Sequence, residues 1–272
     1  MKFRLSFINF LNSVPLGWSF LNGHHRDVFE LSFDVPSECA RRLANGRADV
    51  GLIPVIEYQN IEGLRVLPDI SISSKREVKS VLFVSNVALS EVRRIAVDTS
   101  SRTSVALLKI LFQVFYRRDS VSFEPLPPQP DMMLQSHDAA LIIGNPALKM
   151  SLGSREVYDL AGEWYRFTGL PFVFAFWAAR PGVDLGQQAA LFYQSKREGL
   201  GAIQRIGQLY SQKLGLAPAD IEAYILRNLD YSLDEANLRG LRTFYRLAAE
   251  IGLIPAAKGL QFYPNLVPDW KN

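Results

Sequence analysis

The sequence predicts an α/β protein of two lobes with a cleft between them, and three observations lead to this prediction. Short runs rich in β-branched and aromatic residues alternate with helical patterns from the first residues onward. The same alternation begins again at Arg93, and from about Leu185 the pattern is almost wholly helical. A chain of 272 residues is long enough to form two compact units.

The first lobe follows from the strand–helix alternation at the start of the chain. "FRLSFI" predicts a strand, and "SVPLGWSFL" predicts a helix with Ser13 as its N-cap and Pro15 in its first turn. The strand "FELSFDV" then precedes the helix "PSECARRLANGRAD", which ends near Gly46. "VGLIPV", "LRVLPDISISS" and "KSVLFVSN" predict further strands, so the order implies right-handed crossovers in a mainly parallel sheet.

The second lobe repeats this pattern. "RRIAVDTSSRTSVALLKILFQVF" predicts a strand, a polar loop and an amphipathic helix, and "VSFEPL" and "AALIIGNPAL" predict two more strands. "KSVLFVS" and "PFVFAFWA" are expected to be the two strands that cross between the lobes. One lobe is therefore expected to hold residues 1–84 and 174–272, and the other residues 85–173. This is the arrangement of type II periplasmic binding proteins, with a central ligand cleft and a hinge.

Composition excludes several classes of partner. The chain is 48% hydrophobic with a formal net charge of +3, and its Lys and Arg residues are scattered, so no nucleic-acid partner is expected. No run approaches 18 uninterrupted apolar residues, and asparagines interrupt the apolar N-terminal stretch without a cleavage site. We therefore expect a cytoplasmic protein with no membrane partner. Cys39, the single cysteine, is expected to be buried, and the oligomeric state stays open.

The common catalytic motifs are missing from the sequence. It holds three histidines and no HExxH, Walker P-loop, GxGxxG or GxSxG pattern, so neither a metal nor a cofactor is expected. What remains is a set of four polar loops at strand ends, where open α/β sheets bind ligands. The loops carry Asn9, Asn12 and Ser13; Ser80; Ser101, Arg102, Thr103 and Ser104; and Gly144 and Asn145.

The third of these loops carries the clearest chemistry. Ser101, Thr103 and Ser104 surround a predicted helix start, where backbone N–H groups and hydroxyls suit a carboxylate or phosphate. Each polar residue also has a simpler interpretation, because Ser, Thr and Asn cap helices and turns. Arg102 and Arg166 are the cationic candidates for a second carboxylate, and the sequence does not choose between them.

Six segments together resemble one enzyme family in order along nearly the whole chain: "INFLNSVPLGW", "ADVGLIPVIEY", "VKSVLFVS", "DTSSRTSVALLKILF", "ALIIGNPAL" and "DLAGEWYRFTGLPFVFAFWA". They are similar to chorismate dehydratases of the futalosine route to menaquinone. The resemblance implies conversion of chorismate, the small-molecule substrate, to 3-[(1-carboxyvinyl)oxy]benzoate and water. It implies a catalytic or orienting role for Asn12, with Ser80 as its partner, and carboxylate binding by the loop at Ser101. Asn145 departs from the family pattern, which has an aspartate there.

Two alternatives share the predicted fold. One is a non-catalytic binding protein for a small carboxylate. The other is 1,4-dihydroxy-6-naphthoate synthase, which the sequence resembles less because its Cys-Pro-Asn-Asp type of opening loop is absent here.

Since the sequence offers no evident protein base for the dehydration of chorismate, we expect the enolpyruvyl carboxylate of the substrate to accept the ring proton.

Overall fold

Two five-stranded sheets, each with helices packed on it, form the protein. The computed structural model describes residues 2–264. The strands, numbered in chain order, are β1 (Arg4–Ile8), β2 (Glu30–Asp34), β3 (Val50–Pro54), β4 (Arg65–Ser74), β5 (Val81–Ser85), β6 (Arg94–Asp98), β7 (Ser122–Leu126), β8 (Ala139–Ile143), β9 (Glu156–Asp159) and β10 (Phe172–Ala179).

The α-helices follow the strands along the chain and then dominate its C-terminal part. They are α1 (Trp18–Asn22), α2 (Pro36–Ala44), α3 (Val55–Asn60), α4 (Arg102–Ile110), α5 (Pro130–Ser136), α6 (Asn145–Lys149), α7 (Leu160–Thr168), α8 (Ala190–Gly201), α9 (Ile203–Leu214), α10 (Pro218–Asn228) and α11 (Glu235–Glu250). Short 3₁₀ helices cover Leu11–Gly17 and Gly186–Ala189, and a π-helical turn, Leu111–Phe115, continues α4. Within residues 2–264, no helix has both the length and the hydropathy to cross a membrane.

The first sheet has the strand order β2-β1-β3-β10-β4. β1 pairs in parallel with β2 and β3, whereas β10 runs antiparallel to β3 and β4. Every residue of β3 and of β10 is buried, as expected for central strands covered on both faces. We call the part of the protein built on this sheet the first lobe.

The second sheet, with the order β7-β6-β8-β5-β9, carries the second lobe. β6 pairs in parallel with β7 and β8, and β5 runs antiparallel to β8 and β9. The two-lobed α/β architecture that the sequence predicts is therefore present.

The chain does not cross between the lobes in the two strands that were expected to do so. β5 pairs only in the second sheet and β10 only in the first, so the chain changes sheets in segments 75–80 and 169–171. The backbone N–H groups of Val78 and Lys79 donate to the Asp159 carboxylate, at 3.0 and 2.6 Å, instead of to a strand. Lys79 is also left-handed, with φ of +60°. Residues 81–85 thus belong with the second sheet, whereas the sequence boundary at residue 84 assigns most of them to the first lobe.

The helix after β1 also begins differently from the prediction. The 3₁₀ helix starts at Leu11 with Phe10 as its N-cap, so Ser13 lies inside it. The Ser13 hydroxyl donates to the carbonyls of Ile8 and Phe10, which leaves it turned back toward β1. This back-bonding is a common alternative to capping for serine.

The C-terminal helices return to the first lobe and to the crossing segments. α8 crosses the 3₁₀ helix so closely that a Cβ at Gly199 would lie 2.1 Å from the Pro15 carbonyl oxygen. α11 packs on β10, and the buried Trp164 of α7 donates to the Pro171 carbonyl at 3.1 Å.

Candidate active site

A narrow cavity of about 30 Å³ lies between the two lobes. The first lobe contributes Ile8, Phe10, Asn12, Pro36, Pro54, Ile72, Phe174 and Ala175, and the second lobe and its crossing segment contribute Val78, Val81, Ser101, Ser104 and Ile143. The polar members of this lining are Asn12, Ser101 and Ser104. None of the lining side chains carries a charge, so the cavity offers neutral hydrogen-bonding groups in an apolar wall.

Asn12 presents an unpaired oxygen inside the protein. Its Oδ1 atom is buried and has no hydrogen-bond partner among the described residues. The backbone around it is fixed on both sides, because Tyr231 donates to the Asn12 carbonyl at 2.9 Å and the Leu11 N–H donates to Asn145 Oδ1 at 3.1 Å. A buried polar atom without a partner costs about 1–3 kcal/mol. A ligand that bonds Asn12 would recover part of that cost.

Ser80 lies directly behind the cavity wall. It is fully buried, and its neighbours Val78 and Val81 line the cavity. The Tyr224 hydroxyl donates to Ser80 Oγ at 2.7 Å, and the Ser80 carbonyl accepts the Gly144 N–H at 2.7 Å. The residue is therefore held by both its side chain and its backbone.

The polar side chains at the start of α4 point in three different directions. Ser101 is the N-cap residue of α4, and its hydroxyl lies 3.0 Å from that of Ser104 at the cavity. Thr103 faces α3 instead, where its Oγ1 accepts the Ile56 N–H at 3.2 Å. The exposed Arg102 pairs at 3.2 Å with the buried Glu57, in a separate groove of about 410 Å³. Ser101 and Ser104 are thus the members of this loop that reach the cavity.

Gly144 and Asn145 join the second lobe to the first around Phe10. Gly144 has φ of +72°, and a Cβ there would lie 3.2 Å from the Phe10 ring, so glycine permits both the backbone conformation and the close approach. Asn145 caps the N–H of Leu11 instead of lining the cavity. Both residues border the site without facing a ligand in this arrangement.

Two residues of the first polar loop lie away from the cavity lining. Asn9 is exposed, and its N–H donates to the Asp34 carbonyl at 3.0 Å. The Ser13 hydroxyl donates to backbone carbonyls.

The other cationic candidate, Arg166, is exposed and pairs with Glu163 on α7 at 2.5 Å. Neither Arg102 nor Arg166 therefore supplies a cation to this cavity.

Comparison with known proteins identifies the family. A family model described as menaquinone biosynthesis matches residues 3–250. The chain belongs to this menaquinone biosynthesis family. Chorismate dehydratase of Thermus thermophilus is 32% identical over 268 residues, which are 89% of this chain and 91% of that protein. Chorismate dehydratase of Campylobacter jejuni is 31% identical over 179 residues, which are 62% of this chain and 63% of that protein. The resemblance found in the sequence is confirmed.

Solved structures confirm the fold of this menaquinone biosynthesis family member. A protein of Archaeoglobus fulgidus superimposes with a TM-score of 0.74 at 19% identity, covering 93% of this chain and 98% of that one. The periplasmic aliphatic sulphonate binding protein SsuA of Escherichia coli superimposes with a TM-score of 0.63 at 14% identity, covering 98% and 95%. At these identities the likeness establishes the periplasmic-binding-protein fold alone.

Tyr224 and Tyr231 are the residues of this family member's site that sequence reasoning missed. Both are buried, and burial raises the pKa of each phenol, so they remain protonated donors at neutral pH. They lie 144 and 219 positions along the chain from the groups they bond, Ser80 and the Asn12 carbonyl. The sequence carries no local signal for contacts at such distances.

Proposed function

We propose that the protein is a chorismate dehydratase, which converts chorismate to 3-[(1-carboxyvinyl)oxy]benzoate and water. The observation that carries this proposal is the buried, unpaired Oδ1 of Asn12 at a neutral cavity between the lobes. The family and the names of the two relatives agree with it. The 1,4-dihydroxy-6-naphthoate synthase activity of the same pathway has no comparable observation in its favour.

The reaction needs orientation more than it needs a strong protein base. The ring carbon that bears the enolpyruvyl ether loses its proton, the electron pair of that C–H bond forms the new ring double bond, and the neighbouring C–O bond breaks. The departing hydroxide takes up the proton that the ring carbon has lost and leaves as water, and the ring becomes aromatic. We assign the proton transfer from carbon to the substrate's own enolpyruvyl carboxylate.

Asn12 and Ser80 are the groups we assign to the reacting region. Their neutral donors and acceptors orient the ring hydroxyl and stabilise the charge that develops as it departs. A preorganised donor of this kind is worth about 3–4 kcal/mol in other enzymes that stabilise a developing anion. The apolar wall around Asn12 keeps bulk water away, which strengthens each of these bonds.

One carboxylate of the substrate is assigned to the start of α4. The first N–H groups of a helix have no partner within the helix, and the helix dipole favours an anion there. The hydroxyls of Ser101 and Ser104 lie at the same end and face the cavity. This binding mode needs no arginine, in agreement with the outward positions of Arg102 and Arg166.

Substrate entry requires the lobes to separate. A cavity of about 30 Å³ has room for about one water molecule, far less than a cyclohexadiene dicarboxylate needs. Three backbone N–H groups of the first lobe donate to oxygens of the second lobe and hold the cleft between them closed. They belong to Leu11, Ser37 and Ile56. Segments 75–80 and 169–171 are the two connections about which opening is proposed to occur.

The decisive experiment incubates the purified protein with chorismate and follows the aromatic enolpyruvyl ether by mass spectrometry. We expect turnover by the wild type and a fall in kcat of about 100-fold or more in Asn12→Ala and Ser80→Ala. Asn9→Ala is the matched control, because Asn9 lies in the same loop but is exposed and outside the lining. Binding of unchanged chorismate by the wild type would instead favour a carboxylate-binding protein. The cytoplasmic location stays a prediction that cell fractionation tests.

A further inference from the structure

The Ser80 hydroxyl has a single hydrogen-bond partner within residues 2–264, the hydroxyl of Tyr224. The two oxygens lie 2.7 Å apart, with Ser80 fully buried and Tyr224 exposed by 5%. Tyr224 comes from α10, so a helix of the C-terminal tail reaches the crossing segment next to the cavity. The packing of the tail thus places the Tyr224 hydroxyl against Ser80.

The direction of this bond decides what Ser80 can do. A serine hydroxyl has one hydrogen and two lone pairs. Because Tyr224 donates to Ser80 Oγ, the hydrogen of Ser80 is left for another acceptor, and the described residues supply none. Burial raises the pKa of Tyr224, which keeps its phenol in the donating form. The Ser80 backbone is fixed as well, since its carbonyl accepts the Gly144 N–H at 2.7 Å.

We infer that Tyr224 is a positioning residue, which holds the Ser80 hydroxyl as a hydrogen-bond donor toward the substrate. The inference rests on the proposed function, in which Ser80 bonds the reacting region. Neither Tyr224 nor Ser80 is among the residues that line the closed cavity, but Ser80 adjoins the lining residue Val81 in sequence, so Tyr224 is taken to act through Ser80. In its absence the Ser80 hydroxyl rotates between directions and donates to the substrate for only part of the time.

A double-mutant cycle with Tyr224→Phe, Ser80→Ala and the combined variant tests this role. The loss of one hydrogen bond that acts on the transition state predicts a fall in kcat of about 3- to 10-fold in Tyr224→Phe, with KM little changed. In the Ser80→Ala background the same tyrosine substitution is expected to change kcat by less than about 2-fold, because its target is gone.

A second buried tyrosine provides the matched control. Tyr245 is 3% exposed and donates to the Val55 carbonyl at 2.7 Å, so its hydroxyl bonds a different group from Asn12 or Ser80. Tyr245→Phe and Tyr224→Phe are expected to lower the unfolding temperature similarly, whereas only Tyr224→Phe lowers kcat.

Each result separates the role of Tyr224 from the proposed function. Equal falls in kcat on both Ser80 backgrounds, or no fall in Tyr224→Phe when Ser80→Ala does lower kcat, would overturn the positioning role alone. A wild-type protein that forms no aromatic ether would overturn the proposed function, and the positioning role with it.

Discussion

The side chain of Asn145 in the second lobe accepts a hydrogen bond from the backbone N–H of Leu11 in the first, at 3.1 Å across 134 positions of sequence. Leu11 begins the 3₁₀ helix that carries Asn12, so this bond fixes the residue next to the unpaired amide oxygen. The same hydrogen bond therefore joins the two lobes and fixes the backbone beside Asn12. A neutral amide, the side chain of Asn145, performs this task.

Asn145→Ala is expected to raise KM for chorismate by about 3- to 10-fold. The substitution leaves the Leu11 N–H unpaired in the closed form only, and a net hydrogen bond of about 0.5–1.5 kcal/mol corresponds to that range. Asn145→Asp keeps an acceptor at the same place and is expected to raise KM less. Steady-state kinetics of the three proteins check the order, and equal KM values for Ala and Asp would show that the bond is not responsible.

Loss of the Ser104 side chain is expected to raise KM more than loss of the exposed Arg102 side chain. Ser104→Ala removes a hydroxyl from the cavity and is expected to raise KM by about 3- to 10-fold. Arg102→Ala removes a largely exposed guanidinium that pairs with Glu57 outside the cavity, and such pairs contribute about 0–1 kcal/mol. We expect its KM to stay within about 3-fold of the wild type. A larger rise in Arg102→Ala than in Ser104→Ala would mean that Arg102 binds the substrate directly.

Local sequence patterns predict most strands of this fold but not their partners. β1, β3 and β10 stand out as apolar runs, and each is found where its run lies. β5 lies in the second sheet because it pairs with both β8 and β9, and β9 has only four residues and a weak pattern. Such a pairing between distant short segments has no local signal, so the point of crossing could not be predicted.

The candidate site shows the same limit at the level of single side chains. Asn12, Ser101 and Ser104 reach the cavity as the loop positions suggest. Residues 101 and 104 are three apart and share a helix face, whereas 102 and 103 project elsewhere. Which residues share that face depends on the residue at which α4 begins. Tyr224 contacts Ser80 only because the tail folds back. The sequence thus indicates which loops come together at the site, and tertiary packing decides which of their side chains contact each other or reach the cavity.

Cys39 is expected to resist alkylation in the native protein. It is fully buried in α2, and burial raises the pKa of its thiol to about 12, so at pH 8 almost no thiolate forms. Iodoacetamide at pH 8 is expected to leave the folded protein unlabelled and to label it fully in denaturant, as read by intact mass. Because the folded pKa lies above the unfolded one, the thiol's contribution to stability is present below pH 9 and falls as pH rises. Cys39→Ala should therefore show a shallower loss of stability above pH 9, and native labelling at pH 8 would contradict its burial.

Asp49 is expected to contribute to resistance against acid. Its carboxylate accepts from Arg4 Nε and Nη2, at 3.1 and 2.7 Å, and from Arg180 at 3.2 Å, joining the ends of β1, β3 and β10. The hydrogen bonds from the Arg4 side chain are the largest cause that lowers the pKa of Asp49 to about 2.

The sign of the Asp49 effect follows from that depressed pKa. The unfolded carboxyl takes up its proton near pH 3.8, whereas the folded one stays ionised to about pH 2, so the stabilisation is present above pH 3.8 and is lost as pH falls through that window. Asp49→Asn is therefore expected to lower the free energy of unfolding by about 1–2 kcal/mol at pH 7 and by much less near pH 2. Asp27→Asn, at an exposed turn residue, is the control and is expected to change it by less than about 0.5 kcal/mol. Urea denaturation at both pH values measures the difference, and an Asp49→Asn effect independent of pH would mean that lost packing, not lost charge, is responsible.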